Sequence, residues 1–440
     1  MPPLRILSLA PIPCLLLAAC APDGAPRSTP LAPQAIAAEH SLAGSAQAQW
    51  PGEDWWRGYG DAQLDALITE GLSASPDVAM ADARLRRAAG MAEAAGGATL
   101  PQVGIQGGVE LNKSSYNNGF PKAFVPKGWQ DSGQLATALN FDLDLWGRNR
   151  AALAAATTER EAAAIDAAQA RFMLASAIAA AYADLSRLFD ERDVRQAALE
   201  MRQASERLVR SKVAAGIDSR ASLRMAEAQA STARGELAAT EEALALRRNQ
   251  IAALVGAGPD RGLALARPGW PMLAPQGLPG DVTTELVARR PDVAAAKARA
   301  DAALSRVKVA RADFFPAIRL SALFGVQALG LENMFDQDST TGRVGPALSL
   351  PLFSGGAGQG PYRAARGGAG GAAAFYHRPL LNAPREAADA VTSRALLADR
   401  LSDARAALAS ASEAHALARK RYDAGLSSYL DVLAVEERVL

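Results

Sequence analysis

Cysteine is nearly missing: Cys14 and Cys20 are the two in 440 residues, and both fall within the first twenty. The body of the chain therefore holds neither a disulfide framework nor a cysteine-based metal site. Three histidines, His40, His377 and His415, lie far apart without ligand spacing. Aromatic residues make up only 5%. No nucleophile–base, metal-ligand or phosphate-cradling constellation is present. Net charge is missing too, since 47 Lys and Arg face 46 Asp and Glu. That balance argues against a nucleic-acid binder driven by phosphate neutralisation. The composition thus argues against an enzyme, a metal site or a bound cofactor.

What is present is alanine-rich and helical in character. Hydrophobic residues make up 49% and charged residues 21%. Alanine favours helix yet offers little area to bury. Charges alternate in sign along stretches such as Glu191-Arg192-Asp193, as on solvated helix faces. At the start, Arg5 precedes an apolar run from Ile6 to Ala19, too short to span a bilayer, which needs about 20 residues. The run ends in Leu17-Ala18-Ala19-Cys20, which resembles a bacterial lipobox, where the cysteine thiol is acylated and becomes the new first residue. Residues 1–19 are then a signal peptide, with an ordinary signal peptide and a chance Cys20 as the alternative. Ala21 follows, with no aspartate to signal inner-membrane retention. By that resemblance the chain goes to the outer membrane, carrying covalent lipid (diacylglyceryl and N-acyl) on Cys20. Residues 20–60 read as a lipid-linked tether, rich in Pro, Ala, Gly and Ser over the first thirty or so.

The chain is duplicated. Ser75-Pro76-Asp77-Val78-Ala79 matches Arg290-Pro291-Asp292-Val293-Ala294 at an offset of 215, which still holds at Pro101 and Pro316. Further on, Ala215-Gly216-Ile217 answers Ala424-Gly425-Leu426 at an offset of 209. The halves run over 61–258 and 282–440, joined by a Pro/Gly-rich linker at 259–281. Each half reads helix–strand–strand–helix, and both first helices open with proline near the first turn.

Four segments have period two: Val103, Ile105, Val109, Leu111; Leu135, Leu139, Phe141, Leu143, Leu145; Ile318, Leu320, Phe324, Val326; and Val344, Leu348, Leu350, Leu352. Each is about ten residues, the length of a tilted transmembrane strand. Half-buried hairpins of a soluble protein have the same period. Loops over roughly 112–133 and 327–342 separate the paired strands. From Arg148 to about Ala214 good helix formers are unbroken, on the order of 100 Å of helix. A second helix runs from about Ser219 to Leu254. Hairpins of this size suit coiled-coil packing, and a dimeric coiled-coil stalk is the alternative.

Four strands alone leave two open edges in lipid, where each unpaired backbone group costs several kcal/mol. Closure needs about eight strands, so the chain must share a barrel with copies of itself. A conducting duct favours three or more chains, because an eight-stranded barrel is filled by its own side chains.

At this point a resemblance becomes specific. The lipobox, the tandem repeat, Leu145-Trp146-Gly147, Arg289-Arg290-Pro291-Asp292-Val293 and Arg421-Tyr422-Asp423-Ala424-Gly425 are similar to the TolC-like outer-membrane efflux proteins. The match is best with the NodT-type lipoprotein branch that serves resistance-nodulation-division pumps, and it extends from about Trp55 to the last residue. The resemblance implies a mixed α/β membrane protein: a homotrimer with a twelve-stranded transmembrane β-barrel, four strands per chain, continued by a long periplasmic α-helical barrel. It also implies a periplasmic adaptor, an inner-membrane pump, outer-membrane lipid and no nucleic acid as partners. A passive export conduit is the function this implies. The outer-membrane part of a type I secretion or metal-efflux system, and a non-conducting periplasmic coiled-coil scaffold, are the rival readings.

The resemblance also assigns roles. Asp431, in Leu430-Asp431-Val432-Leu433, matches an acidic ring at the periplasmic constriction, while the next family acid is replaced by Ala434. Tyr422 matches a tyrosine that links neighbouring helices in the shut state. The turns at Gly216 and Asp218, and at Gly425 and Ser427, match the surface that adaptors engage. Glu110, Asp142, Asp144 and Arg319 are expected to face the barrel lumen, and Trp146, Trp55 and Trp56 to anchor at an interface or pack internally. Two stretches depart from the pattern. Gly355-Gly356-Ala357-Gly358-Gln359-Gly360-Pro361, followed by four glycines from Gly367 to Gly371, opposes the helix expected there, with helical pattern resuming near Leu381. This reads as a local reading-frame error between about Ala357 and Arg378, or as a hinge. And Leu440 answers Ser231, so no counterpart of residues 232–256 is expected and the second repeat reads as truncated.

Overall fold

A computed structural model describes residues 52–269 and 289–439 apart from Asn118, Leu352 and Ser354, together with His40, Leu42 and Trp50. Cys20, the 1–19 stretch expected to be a signal peptide and most of the 20–60 and 259–281 segments lie outside the described residues. The helices are α1 (Ala62–Ala74), α2 (Pro76–Gly97), α3 (Arg148–Ala214), α4 (Arg220–Leu254), α5 (Pro291–Ala312), α6 (Gln359–Asp423) and α7 (Tyr429–Glu436), with a single turn at Asp260–Leu263. The strands are β1 (Gln102–Asn112), β2 (Gln130–Asp142), β3 (Ala317–Leu329) and β4 (Thr340–Ser349). The duplication is visible in the ends of these elements: α5 starts and stops 215 residues after α2, while α6 stops and α7 starts 209 residues after α3 and α4.

Among the described residues two units separate, and each draws on both repeats. One comprises 84–165 and 292–379 and holds the sheet. All its neighbours are antiparallel in the order β1-β2-β3-β4, so β2 and β3 join the repeats while β1 and β4 are left as edges. The register sorts the side chains cleanly. Val103, Leu139, Ala322 and Val344 form one cross-strand row, and Ile105, Thr137, Phe324 and Gly342 the next. These rows make an apolar face, and most of its large side chains are exposed, Val103, Ile105, Phe324, Val344 and Leu348 among them. The opposite face carries Gln102, Asn140 and Ser321 in one row and Asp142 paired with Arg319 in another. At the centre, a Cβ on Gly325 would collide with the Leu135 carbonyl and the Ala136 backbone. Glycine permits the close approach of β2 and β3 there.

The other unit comprises 52–83, 166–269, 289–291 and 380–439. Its core gathers Leu64, Leu67 and Ile68 of α1, Ile178, Tyr182 and Leu185 of α3, and Ile251 with Val255 at the end of α4. On α4 the buried positions Ala226, Ala230, Ala233, Thr240, Leu244 and Ile251 recur at spacings of three, four and seven. That is the seam a long helical hairpin requires, with alanines allowing close approach. Trp56 belongs to this core, donating from its indole N–H to Asp65 at 3.1 Å, and Trp55 packs edge-on against it. The N-terminus of α1 is held by Asp61, which accepts from the backbone N–H groups of Gln63 and Leu64 and from the Tyr182 hydroxyl.

The glycine-rich stretch corrects the expectation of a break. Gly355 and Gly356 have positive φ, 58° and 94°, and form the turn before α6, but helix begins at Gln359 and continues to Asp423. The reason lies in a second signal in the same residues. Ala369, Ala373, Tyr376, Leu380 and Ala383 follow spacings of four, three, four and three, and all are buried. Packing along that stripe outweighs a helical penalty of about 1 kcal/mol per glycine.

Candidate functional site

The two helix-to-helix turns are built alike. After α3, Gly216 has φ 73°, its N–H binds the Val213 carbonyl at 3.0 Å, and the Ile217 N–H binds the Lys212 carbonyl at 2.8 Å. After α6, Gly425 has φ 74°, its N–H binds Tyr422 at 3.0 Å, and the Leu426 N–H binds Arg421 at 2.9 Å. Both are Schellman closures, which need a left-handed residue and hence favour glycine. The closures leave an apolar side chain at each tip: Ile217 is 70% exposed and Leu426 is 73% exposed. The next helix is then capped, by Ser219 accepting from the Ser222 N–H at 3.1 Å and by a reciprocal capping box of Ser428 with Asp431.

Asp431 stands at the third position of α7, exposed, accepting from the Ser428 N–H and hydroxyl at 2.9 Å each. These two hydrogen bonds, the backbone one first, hold its carboxyl below the usual aspartate value. In one protomer, then, Asp431 is a helix-capping group whose charge remains at the protein surface.

The structure brings together Tyr422 and Asp218, to which the family resemblance gives separate roles. The Tyr422 hydroxyl donates to Asp218 at 2.7 Å, linking the α6–α7 turn to the α3–α4 turn. Lys212 lies 3.6 Å from the centre of the Tyr422 ring and donates to the Tyr422 carbonyl. Burial and then the Asp218 carboxylate push the phenol well above its ordinary value. For Asp218, burial acts upward, but donors from Tyr422, Ser222 and the Ser219 N–H and the charge of Lys212 outweigh it, and its carboxyl is lowered. Val209, Ala226, Tyr429, Val432 and Leu433 form the apolar bed beneath. Ser427 occupies the position that Asp218 holds in the first turn, and its hydroxyl is buried without a partner. Lys212 and Tyr429 escaped the reading of the sequence. Arg421, at the position matching Lys212, offered a hint, since both are basic residues in a final helical turn.

On the sheet, Glu110, Asp142 and Arg319 all lie on the polar face, and Ser132 donates to Glu110 at 3.4 Å. Asp144 does not join them. It sits past the end of β2 with φ 42°, and its carboxylate accepts from the backbone N–H groups of Asn149 and Arg150 at 2.9 Å each. Burial acts upward on it, but these bonds and Arg150 prevail and its carboxyl is lowered. The residue that continues the alternation is therefore the clasp of the strand-to-helix corner and stands off the polar face of the sheet. Trp146 completes that corner by stacking on Phe315 at 4.8 Å and donating to the Pro316 carbonyl at 2.8 Å.

The model of a family described as outer membrane efflux protein matches residues 67–257 and 282–440. The fusaric acid resistance protein FusA of Burkholderia cepacia is 34% identical over 352 residues, 78% of this chain and 66% of FusA, just under two thirds of that relative's length. The multidrug resistance outer membrane protein MdtP of Shigella flexneri is 30% identical over 78% of this chain and 72% of MdtP. The crystal structure of the outer membrane protein VceC from Vibrio cholerae superimposes with a TM-score of 0.84 at 39% identity, covering 89% of this chain and 93% of VceC.

Proposed function

The chain belongs to the outer membrane efflux protein family, whose members are channels rather than enzymes and whose fold it shares, and from that membership we propose that it is one subunit of a homotrimeric conduit. Three copies contribute twelve strands to one barrel, and their helices form an α-helical barrel. The conduit is the outer-membrane part of a tripartite system, and it passes small organic molecules outward without an energy source of its own. A periplasmic adaptor and an inner-membrane pump supply the drive. Cys20 carries the lipid that tethers the chain to the outer membrane.

One observation carries the reading: a four-stranded sheet with an exposed apolar face, a polar face and two unpaired edges. In lipid such edges are tolerated only in a closed barrel, and pairing β1 of one copy with β4 of the next closes it. The apolar face then meets lipid and Glu110, Asp142 and Arg319 line the lumen. Asp431, repeated threefold, makes an acidic ring at the constriction, with Tyr422 bracing the helices around it. The exposed Ile217 and Leu426, beside Gly216, Asp218, Gly425 and Ser427, form the surface offered to the adaptor. The fusaric acid and multidrug resistance of FusA and MdtP favour organic cargo over metal ions.

Cysteines scanned along β1 and β4 test the assembly. Oxidation of β1–β4 pairs in membranes should yield covalent trimers, and dimers at partial oxidation. A monomeric chain throughout the scan contradicts the closed barrel and favours the non-conducting scaffold.

A further inference from the structure

Beneath the paired turns one ion pair is sealed from solvent. Arg202 of α3 and Glu436 of α7 have side chains 6% and 0% exposed, with Nε 3.5 Å from Oε1. Neither Glu436 oxygen has a hydrogen-bond donor, and Arg202 Nη1 and the neighbouring Tyr429 hydroxyl lack well-formed partners as well. Ion pairs on the helix faces are of another kind: Arg187 and Glu191 meet at 2.7 Å in the open. So do those of Glu227, which stands 209 residues before Glu436 at the matching position and binds Arg224 and Arg210 at the surface. The sealed pair is a device of the second turn alone.

Its place on α7 suggests its use. The orientation of α7 follows from what it packs on, and Tyr429, Val432, Leu433 and Glu436 are its buried positions. Glu436 is five residues after Asp431, about 140° around the helix, which points it inward while Asp431 points out. We propose that Arg202 and Glu436 are positioning residues for the constriction: their sealed pair fixes the rotation of α7 and so holds the Asp431 carboxylates at the pore. Loss of the pair frees α7 to turn and widens the passage. This inference rests on the conduit reading above.

Protonation of Glu436 has the same effect, because it leaves Arg202 as a buried cation without a counter-charge. The groups facing Glu436 are Arg202 on α3, His415 and Arg419 on α6, and Tyr429 and Glu437 around α7. Burial raises its carboxyl above the ordinary 4.5 in spite of the three basic groups. The capping bonds set Asp431 below its own ordinary value, so the two carboxyls titrate in separate ranges.

Single-channel recordings of the full chain in planar bilayers test the proposal with wild type, Glu436→Gln, Arg202→Met and the double variant. Each single change should raise the open probability about tenfold, and the double should do no more than either, as coupled neighbours behave. Arg202→Lys should restore the shut state. Acidification should open the wild type with a midpoint above 4.5, a response kept in Asp431→Ala and lost in Glu436→Gln. Singles that match wild type, or effects that multiply in the double, overturn the proposal. If Glu436→Gln fails to assemble, Glu436→Asp decides: assembly with raised opening supports the positioning role, while wild-type gating assigns the pair to folding alone. A silent wild type counts against the conduit. The pair is then judged by hydrogen exchange in α7, faster in Glu436→Gln if it is right and unchanged if it is wrong.

Discussion

Tyr422→Phe removes a single hydroxyl from the clasp between the two turns, and its effect can be worked out from the contacts. The ring stays buried and keeps Lys212 over its face, so only the 2.7 Å bond to Asp218 is lost. A hydrogen bond to a charged group contributes about 1.5–3 kcal/mol. Asp218 retains the Ser219 N–H at 2.6 Å and the Ser222 hydroxyl, which puts the loss at the lower end, about 1.5 kcal/mol. Local opening of the turns should therefore become about tenfold more frequent. Hydrogen exchange of the amides in 215–219 and 424–428, followed by mass spectrometry, reads this directly. The pH dependence has a defined sign. The Asp218 contribution is full above its ordinary 3.8 and is lost as pH falls through its lowered value. The Tyr422 contribution is full below its ordinary 10.0 and is lost as pH rises through its raised value. Only the alkaline loss should vanish in Tyr422→Phe. Exchange equal to wild type, or a further tenfold gain when Asp218→Asn is added, would refute the clasp.

Glycines provide paired predictions of opposite sign. Gly425→Ala forces a side chain into φ 74° and should destabilise the turn by about 1–2 kcal/mol, whereas Gly367→Ala, with open space around its Cβ, should stabilise α6 by up to about 1 kcal/mol. Thermal unfolding in detergent should move in opposite directions for the two, and a shared direction would contradict the assignment of one to a turn and the other to a helix. Gly325→Ala drives a methyl group into the Leu135 carbonyl across β2 and β3, and it should abolish the folded, heat-modifiable form on gels. A wild-type yield of that form would show that the strands are not so closely paired.

Much of this architecture is legible in the sequence, because its signals are local and periodic. The span Arg148–Ala214 can be read from uninterrupted helix formers, and Ser219 marks its own role as the cap of α4. The four strands follow from alternation, and the offsets of 215 and 209 carry over into matching element ends. Asp144 shows the limit of that method: Leu143 and Leu145 continue the alternation past Asp142, where the backbone has already turned into a corner. Period two reports which side a residue takes while the strand lasts, and not where it stops. In α6 the glycines masked a buried stripe made mostly of alanine, whose small side chains give a weak pattern. The Tyr422–Asp218 and Arg202–Glu436 contacts bring together residues more than two hundred positions apart, and nothing in either local segment announces them.

If three copies of the sheet enclose a conducting pore with Asp431 at its constriction, the reversal potential of single channels reports it. Purified trimers in planar bilayers under a salt gradient should open in discrete steps. Asp431→Ala should lengthen or enlarge those openings and weaken their preference for cations, because the constriction loses its ring of charge. Discrete openings with unchanged selectivity would remove Asp431 from the constriction. Well-inserted trimers that never conduct would show that the assembled chain encloses no pore.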